Sequence, residues 1–497
     1  MKRIIILAIA FINCSIYAQQ WQWDSVVSKS STSNLLITKN HADEVFTFQF
    51  QGSELKKYNS AGKFLWAKSF NGSLFNVSFD LANNIYITGT FFSALTEDSV
   101  TLTSKGDDDI FVLKLAPNAN MVWLHQIGSI GRDVAGDVNI YGNKIFVSGA
   151  TRDTTWFDQI PFPKKTCFDM FIARFDMNVN LEKVKFAEQP VPDQYYASIG
   201  CELENDASGN VIVLAAITGQ IKIDTTVISD GYAYYVLKFD TALDLLWNRR
   251  ITSGMGTGAG CLRVNSTGEI VLTTSVDWHY FQEGDVRKIS LNGDTMQTLF
   301  TENIGFVYGI DLDSADNIYF TGMRMTWAYS GNPPNEYYFK TGKLNPTGNL
   351  VWLIQDSSLY YREGYSIAAL SNNSLFISGR FFGKMFLHDT LIAMSDVNCF
   401  LSILDVNTYT PITELNNEEN SLVIFPNPSP GIFTINLNKN NSEARICVRD
   451  ILGNYIHTKN YSNDLNPKID LSHQPKGIYF AEIICDGKST VKKIILE

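Results

Sequence analysis

The amino-acid sequence predicts an all-β protein: a seven-bladed β-propeller followed by a small C-terminal β-sandwich. Two repeated patterns support this prediction. The first is a ten-residue frame that opens with Lys or Arg and crosses a turn into a strand, clearest at residues 343–352, KLNPTGNLVW. The second is a short apolar strand that ends at Gly, as in residues 84–89, NIYITG. Short β-branched and aromatic runs between turn-forming residues are typical of strands, and long helical patterns are scarce.

The frame recurs along most of the chain. Its strongest copies begin at Lys57, Lys114, Lys238 and Lys343 and end at Trp66, Trp123, Trp247 and Trp352. Weaker copies occupy residues 174–183 and 288–297, where the Trp is lost. Together with the Gly-ended strand and a short strand ahead of it, the frame defines a unit of four strands, and seven such units can be traced. A single small sheet cannot bury both of its faces, so the repeat predicts a ring of mutually covering blades.

The two ends of the repeat region complement each other. The last unit ends near residues 399–404, CFLSIL, and lacks the final Trp strand. Residues 20–27, QWQWDSVV, form an N-terminal strand that has no unit of its own. We therefore predict that the N-terminal strand closes the last blade, which would pair an otherwise open sheet edge.

Four segments are expected along the chain. Residues 1–18 have the basic start, the apolar run and the small residue, Ala18, of a cleaved signal peptide. The propeller is expected at 19–410, a polar acidic linker at 411–421 and the second domain at 422–497. The leader's apolar run is too short for a stable membrane span, so no transmembrane segment is predicted.

Composition excludes several classes of partner and site. The formal net charge of −11 disfavours nucleic acid and anionic membrane surfaces, which need clustered Lys and Arg. The cysteines and histidines are scattered without metal-ligand spacing, so no metal or cofactor is predicted. Isolated buried thiols are the favoured interpretation of the cysteines, and Cys447 with Cys485 is the first pair to test for a disulfide.

The last domain resembles a known export signal. Residues 423–433, VIFPNPSPGIF, the DILGN segment at 450–454, GIY at 477–479 and the terminal KKII at 492–495 resemble the type A C-terminal sorting domain of type IX secretion cargo in Bacteroidetes. The motif positions are Pro426, Asn427, Pro428, Gly431, Gly453, Gly477, Tyr479, Lys492 and Lys493. The resemblance implies passage through the periplasm, handling by the type IX machinery, cleavage by a sortase-like peptidase, and release or attachment at the outer-membrane surface.

Residues 20–410 resemble bacterial β-propeller repeats, through the NIYITG strand and the GNLVW turn. That family is defined by its architecture and implies no single activity. The expected function is a secreted or cell-surface non-catalytic binding module for a glycan or an extracellular protein. The alternative is an extracellular polysaccharide-active enzyme with acidic residues at the propeller channel.

The first strand of each blade is expected to line a central channel. Alternation along these strands directs six residues inward: Ser78, Asn139, Glu202, Arg263, Asp311 and Ala368. Glu202, Arg263 and Asp311 come from consecutive blades and are the candidates for binding a polar ligand or for acid–base chemistry. The competing interpretation is a hydrated channel with compensating charges.

Other polar and aromatic clusters have simpler interpretations. Residues 107–109, DDD, and 311–316, DLDSAD, offer oxygen ligands for calcium, but both coincide with repeated turn or strand-end positions. The Trp residues of the frame are expected to pack between blades. Aromatic residues in the variable loops are better candidates for a recognition surface, and they are Trp156, Trp278, Trp327, Tyr329, Tyr337 and Tyr338.

Overall fold

The computed structural model describes most of the chain. The described residues are 21–28, 34–163, 168–189, 199–253, 257–278, 281–300, 305–326, 336–358, 361–386, 390–406, 423–427, 429–437, 444–450, 455–462, 464, 466–485 and 488–496. The predicted signal peptide at 1–18 and the predicted linker at 411–421 lie outside them, as do Pro428, Gly453, Trp327 and Tyr329. One compact unit spans Gln20–Tyr409 and a second contains the residues that follow Tyr409.

The first unit contains seven antiparallel sheets among its described residues, here called blades 1 to 7. After β1 (Trp21–Ser28), blade 1 comprises β2 (Leu35–Lys39), β3 (Val45–Gln49), β4 (Glu54–Tyr58) and β5 (Phe64–Ser69). Blade 2 comprises β6 (Ser73–Phe79), β7 (Ile85–Glu97), β8 (Val100–Leu115) and β9 (Met121–Gly128). Blade 3 begins with β10 (Val134–Tyr141) and β11 (Lys144–Arg152). A hairpin of β12 (Thr155–Phe157) and β13 (Ile160–Phe162) then joins the edge of blade 2, and blade 3 ends with β14 (Phe168–Asp176) and β15 (Leu181–Ala187).

The remaining blades repeat the pattern. Blade 4 comprises β16 (Ile199–Asn205), β17 (Val211–Ile223), β18 (Thr226–Phe239) and β19 (Leu245–Ser253). Blade 5 comprises β20 (Thr257–Val264), β21 (Ile270–Trp278), β22 (Phe281–Ile289) and β23 (Met296–Phe300). Blade 6 comprises β24 (Phe306–Leu312), β25 (Ile318–Thr326), β26 (Glu336–Leu344) and β27 (Leu350–Ser358). Blade 7 contains β28 (Arg362–Ala369), β29 (Ser374–Phe386) and β30 (Thr390–Asp405).

Hydrophobic packing closes these sheets into a ring. Each of seven buried clusters joins one blade to the next, as where Phe46 of blade 1 packs with Phe79 of blade 2. The seventh cluster returns from Phe376 and Leu401 of blade 7 to Ile37 and Tyr58 of blade 1. Both faces of every blade are therefore covered by neighbours, which confirms the predicted β-propeller.

The N-terminal strand completes blade 7, as predicted. Strand β1 pairs antiparallel with β30, from Trp21 opposite Leu404 to Ser28 opposite Cys399. The sheet order is β1-β30-β29-β28, so the first strand of the propeller is the outermost strand of its last blade. This pairing satisfies the backbone groups on one edge of β30.

The Lys that opens each frame pairs with the turn between the first two strands of its own blade. Lys238 Nζ lies 2.8 Å from Asp206 Oδ2, and both side chains are 3% exposed. The equivalent pairs are Lys57–Glu44, Lys114–Asp80, Lys288–Glu269 and Lys343–Asp313. In blade 3 the frame residue, Arg174, pairs instead with Glu182. The frame is therefore a packing device that ties the third strand to an adjacent turn.

The frame Trp side chains pack between blades, as expected. Trp352 is 4% exposed and contacts a core that includes Ile367 and Leu375 of blade 7. The partly buried Trp66, Trp123 and Trp247 pack against clusters that likewise include the following blade. The four indole groups therefore help to hold neighbouring blades together.

The second unit is a β-sandwich. One sheet contains β31 (Val423–Phe425), β32 (Ile432–Asn436) and β35 (Lys468–Asp470). The other contains β33 (Ala444–Arg449), β34 (Tyr455–Tyr461), β36 (Gly477–Cys485) and β37 (Lys488–Leu496). Phe433 and Ile435 from the first sheet share a buried core with Ile446 and Ile483 from the second.

The strand register of this domain separates the two cysteines proposed for a disulfide test. Cys447 lies opposite Glu482 on β36, whereas Cys485 lies opposite Ala444. The two positions are therefore three residues out of register on neighbouring strands. Cys447 is a buried free thiol, in agreement with the favoured interpretation.

Candidate functional site: the central channel

The first strands of the blades surround a cavity of ≈ 310 Å³. All six predicted channel residues line it, from Ser78 on blade 2 to Ala368 on blade 7. Six of these first strands carry a β-bulge, at Leu74/Asn76, Ala135/Val138, Gly200/Glu202, Ala259/Leu262, Val307/Gly309 and Gly364/Ser366. A bulge adds a residue to one strand and re-aims the side chains that follow it, so one backbone device repeats around the channel.

Arg263 is the centre of the charged group in this cavity. Its guanidinium lies 3.6 Å from Glu202 Oε2, 3.8 Å from Glu204 Oε1 and 3.5 Å from Asp311 Oδ1. Lys39 Nζ lies 3.8 Å from the other oxygen of Asp311. The sequence correctly predicted that Glu202, Arg263 and Asp311 lie close together. Their role in ligand binding stays a prediction.

Several channel side chains also join consecutive blades. Glu202 Oε2 accepts the backbone N–H of Leu262 on blade 5 at 2.6 Å. Asp311 Oδ2 accepts the N–H of Ala369 on blade 7 at 2.8 Å. Two similar hydrogen bonds join other blades. The N–H of Leu203 donates to Asp137 Oδ2 at 2.7 Å, and the N–H of Ile37 donates to Ser366 Oγ at 3.1 Å. Because a buried N–H without an acceptor is costly, these side chains stabilise the ring.

Glu204 differs from the other channel acids. Its interaction with Arg263 is a 3.8 Å charge contact, and no backbone N–H donates to its carboxylate among the described residues. Burial raises its pKa to about 7, with Arg263 opposing the shift and Glu202 and Asp311 adding to it. Burial also raises the pKa of Glu202. Burial disfavours the charged form of Arg263, but the surrounding carboxylates outweigh burial and raise its pKa. Glu204 is therefore poised to change charge near neutral pH, and burial also raises the pKa of Asp137 well above its usual value.

Three ionisable residues of the cavity were missed by sequence reasoning: Lys39, Asp137 and Glu204. The signal was available for two of them. Glu204 follows Glu202 by two positions, and Asp137 precedes Asn139 by two, so strand alternation places each on the same face as its neighbour. Lys39 is the last residue of β2, and the pairing of β2 with β3 contains no bulge.

The two suspected calcium segments have structural roles. Asp109 is fully buried and accepts hydrogen bonds from the backbone N–H of Lys105, at 3.1 Å, and the Gln126 side chain, at 2.5 Å. Asp313 caps its turn by accepting the N–H groups of Ala315 and Asn317. Within the described ranges, no group of three His, Cys, Asp or Glu side chains is arranged to hold a metal ion.

The described members of this loop aromatic set lie on three different elements. Trp156 lies on the β12–β13 hairpin, where Lys105 Nζ sits 5.8 Å from its ring centre. Trp278 ends β21, and Tyr337 and Tyr338 lie on β26. Their use in recognition stays a prediction.

In the second unit, the predicted motif holds the final strand in place. The Asn427 amide donates to Lys493 O and accepts the N–H of Ile495, both at 2.8 Å. Gly431 lies against Ser472, where an added Cβ would come within 2.7 Å of the Ser472 Cβ. Tyr479 is 5% exposed and donates its hydroxyl to Pro475 O at 2.5 Å. Lys492 and Lys493 are exposed on β37. Part of the motif therefore stabilises the fold of this domain, and its two lysines form an exposed basic pair on the last strand.

Residues 423–497 match the family described as "Secretion system C-terminal sorting domain". This segment is a type IX sorting C-terminus. The chain is accordingly an exported protein that is secreted or displayed at the cell surface. Among the residues that the structure describes, no helix is long and apolar enough to cross a bilayer. A search of curated proteins finds no match.

Solved structures with similarity to the chain include lyases and a protein of unknown function. Virginiamycin B lyase from Staphylococcus aureus is 10% identical, with 77% of this chain and 99% of that chain covered and a TM-score of 0.42. A PL25 ulvan lyase bound to a saccharide is 9% identical, covering 72% and 92%, with a TM-score of 0.43. A Dyadobacter fermentans protein of unknown function is 10% identical, covering 78% and 98%, with a TM-score of 0.37. Similarity at this level carries no argument about activity.

Proposed function

We propose that the protein is a secreted propeller that acts as a non-catalytic binding module and is delivered by its C-terminal sorting domain. The observation that supports a non-catalytic role most directly is the engagement of the channel acids. Glu202 and Asp311 each accept a backbone N–H from a neighbouring blade and share the Arg263 guanidinium. Acid–base catalysis on a polysaccharide requires a proton donor and a free carboxylate that face one substrate. These two acids serve the scaffold instead, and Glu204, to which no backbone N–H donates among the described residues, is a single acid rather than the pair that this chemistry needs.

The sorting domain supports the delivery half of the proposal. Its core is continuous within residues 424–496 and draws on both of its sheets. The propeller has a separate set of cores that closes on itself. Removal of the tail should therefore leave the propeller folded, because its seven blades bury their apolar faces on one another.

Deletion of residues 422–497 tests delivery. We expect the truncated chain to accumulate in the periplasm with a far-ultraviolet dichroism spectrum typical of folded β-structure, whereas the full chain reaches the medium or the cell surface. The matched control is Tyr141→Ala, which alters an exposed tyrosine of the propeller and leaves the tail intact. Normal surface delivery of the truncated chain would refute the sorting role.

An array of saccharides and extracellular proteins tests binding. The mature full-length chain is applied to the array, and the washed surface is analysed for retained protein and for released saccharide fragments. Retention without fragments supports a binding module. Steady release of fragments would favour the enzyme alternative.

A further inference from the structure

Three aromatic rings near the channel form a parallel stack across two blades. Phe306 and Tyr308 lie on β24 of blade 6, with ring centres 5.6 Å apart and an interplanar angle of 17°. Tyr308 then stacks on Tyr365 of β28 in blade 7, at 5.1 Å and 21°. Most aromatic pairs elsewhere in the described chain, such as Phe157 with Phe171 at 89°, are edge-on or tilted. Phe306, Tyr308 and Tyr365 are here called the aromatic platform.

Two β-bulges position the platform next to the cavity. Tyr308 is the bulged residue between Val307 and Gly309, and Tyr365 is the bulged residue between Gly364 and Ser366. Ser366 lines the cavity directly. The thiol of Cys261, another cavity residue, donates to Tyr308 O at 3.1 Å. The platform therefore lies at the end of the channel where these strands begin.

A glycine brings the two blades close enough for the rings to stack. An added Cβ at Gly309 would lie 2.9 Å from Tyr365 O and 3.0 Å from the Ser366 Cα. Such contacts are shorter than ordinary van der Waals distances, so the close approach depends on glycine. The platform is thus held by rigid backbone rather than by mobile loops.

A buried ion pair supplies polar groups beside the rings. Glu363 is 2% exposed, and its Oε1 lies 2.5 Å from Arg380 Nε. Arg380 Nη2 donates to the Tyr361 hydroxyl at 3.0 Å. Because the charges of Glu363 and Arg380 compensate each other, this group of residues does not favour a charged ligand.

The phenol groups of the platform remain hydrogen-bond donors at any physiological pH. Burial, and then the charge of Glu363, raise the pKa of Tyr365 to about 12 and shift the pKa of Tyr308 in the same direction. Phe306, Tyr308 and Tyr365 are each partly buried residues rather than fully buried ones. Among the described residues, no group accepts a hydrogen bond from the Tyr308 hydroxyl.

We propose that the aromatic platform binds a pyranose ring of a neutral saccharide, an inference that rests on the proposed binding function. A pyranose offers a flat face of C–H groups to an aromatic ring and hydroxyls to donors around its edge. The platform provides both features, with Tyr308 and Tyr365 as the phenols. The net charge of −11 disfavours polyanionic ligands at the same surface.

The test compares four forms of the mature full-length chain on an array of neutral saccharides, followed by titration calorimetry with the best ligand. The double variant Tyr308→Ala/Tyr365→Ala removes two rings, and we expect a loss of affinity of about tenfold or more. The variant Tyr308→Phe/Tyr365→Phe retains the stack, and we expect a loss of about threefold to tenfold from the missing hydroxyls. The control is Tyr141→Ala, at the far end of an inner strand, where the hydroxyl donates to Ala207 O at 2.6 Å.

Each outcome bears on the platform, on the binding function or on both. Saccharide binding that survives in both double variants overturns the platform and leaves the binding function standing. Retention of an extracellular protein, but of no saccharide, on the mixed array described under the proposed function does the same. Fragment release by the wild type overturns the non-catalytic function, while affinity loss in the double variants still supports the platform. A wild type that binds nothing overturns both. If the alanine variant fails to fold by circular dichroism, the phenylalanine variant decides, and unchanged affinity in that variant overturns the platform.

Discussion

Replacement of Glu204 by Gln should stabilise the protein above neutral pH. The Glu204 carboxylate lies in the channel cavity, 3.8 Å from an Arg263 guanidinium that also neutralises Glu202 and Asp311. Burial raises the pKa of Glu204 from 4.5 to about 7. Gln retains the volume and polarity of the side chain and removes the charge, so the substitution isolates the ionisation of one group.

The direction follows from the two protonation states. Between pH 4.5 and about 7 the folded protein binds more protons at Glu204 than the unfolded chain does. The free energy of unfolding therefore falls as the pH rises through this window, and the destabilisation is complete above it. A shift of that size corresponds to about 3 kcal/mol at most, and partial contact with cavity water reduces it to about 1–3 kcal/mol.

Urea denaturation at pH 5 and pH 8, followed by tryptophan fluorescence, measures the effect. We expect the midpoint of Glu204→Gln to exceed the wild-type midpoint at pH 8 and to match it at pH 5. The control is Glu54→Gln, since the Glu54 side chain is 45% exposed on blade 1. Other buried acids contribute to the wild-type slope, but they cancel in the difference between the two proteins. Parallel pH dependences of wild type and Glu204→Gln would refute this account of the channel.

Three further changes test the packing of the ring by the same denaturation assay. Arg263→Met leaves three channel carboxylates without their shared cation, and we expect a loss of about 3–5 kcal/mol at pH 8 that shrinks at pH 5. Lys238→Met leaves the buried Asp206 carboxylate without its partner at 2.8 Å, and a loss of about 3 kcal/mol is expected. Gly364→Ala places a Cβ 1.9 Å from Thr321 Oγ1 of blade 6, which should cost about 1–3 kcal/mol through overpacking.

Matched substitutions make these three expectations discriminating. Lys183→Met removes an exposed partner of Asp244 and should change stability by about 0–1 kcal/mol. Gly231→Ala adds a Cβ with no atom within 4 Å and should fall within about 0.5 kcal/mol of wild type. Arg263→Met as stable as wild type at pH 8 would show that the channel charges do not need compensation. Equal losses for Lys238→Met and Lys183→Met, or for the two glycine variants, would contradict the packing argument.

The ring and its closing strand could be predicted from sequence because they depend on periodicity. The frames at 57–66 and 343–352 repeat both polarity and turn residues, and such patterns determine which faces of a strand are buried. Likewise, the missing last strand after residue 404 and the unassigned strand at 20–27 were visible as a complementary pair.

The chemistry of the channel was less predictable because it depends on local backbone irregularity. Strand alternation correctly placed Glu202, Arg263 and Asp311 in the cavity, but it gave no sign that two of them also accept N–H groups from the next blade. The bulges that put Tyr308 and Tyr365 side by side are single extra residues, and no composition signal marks them. A one-residue shift in register moves a side chain to the other face of a sheet, so this level of detail needs coordinates.

The pairing of β1 with β30 also bears on when the propeller can finish folding. Trp21 meets Leu404, so nearly the whole propeller must be synthesised before its first strand finds its partner. Contacts between such distant positions form slowly, since the intervening chain must first be ordered. An emerging chain would therefore pass through an open intermediate in which blade 7 has not yet packed against blade 1. The exposed blade edges of this intermediate would favour association with other chains. Any factor that shields those edges until residue 405 is available would act on folding yield, without touching the mature protein.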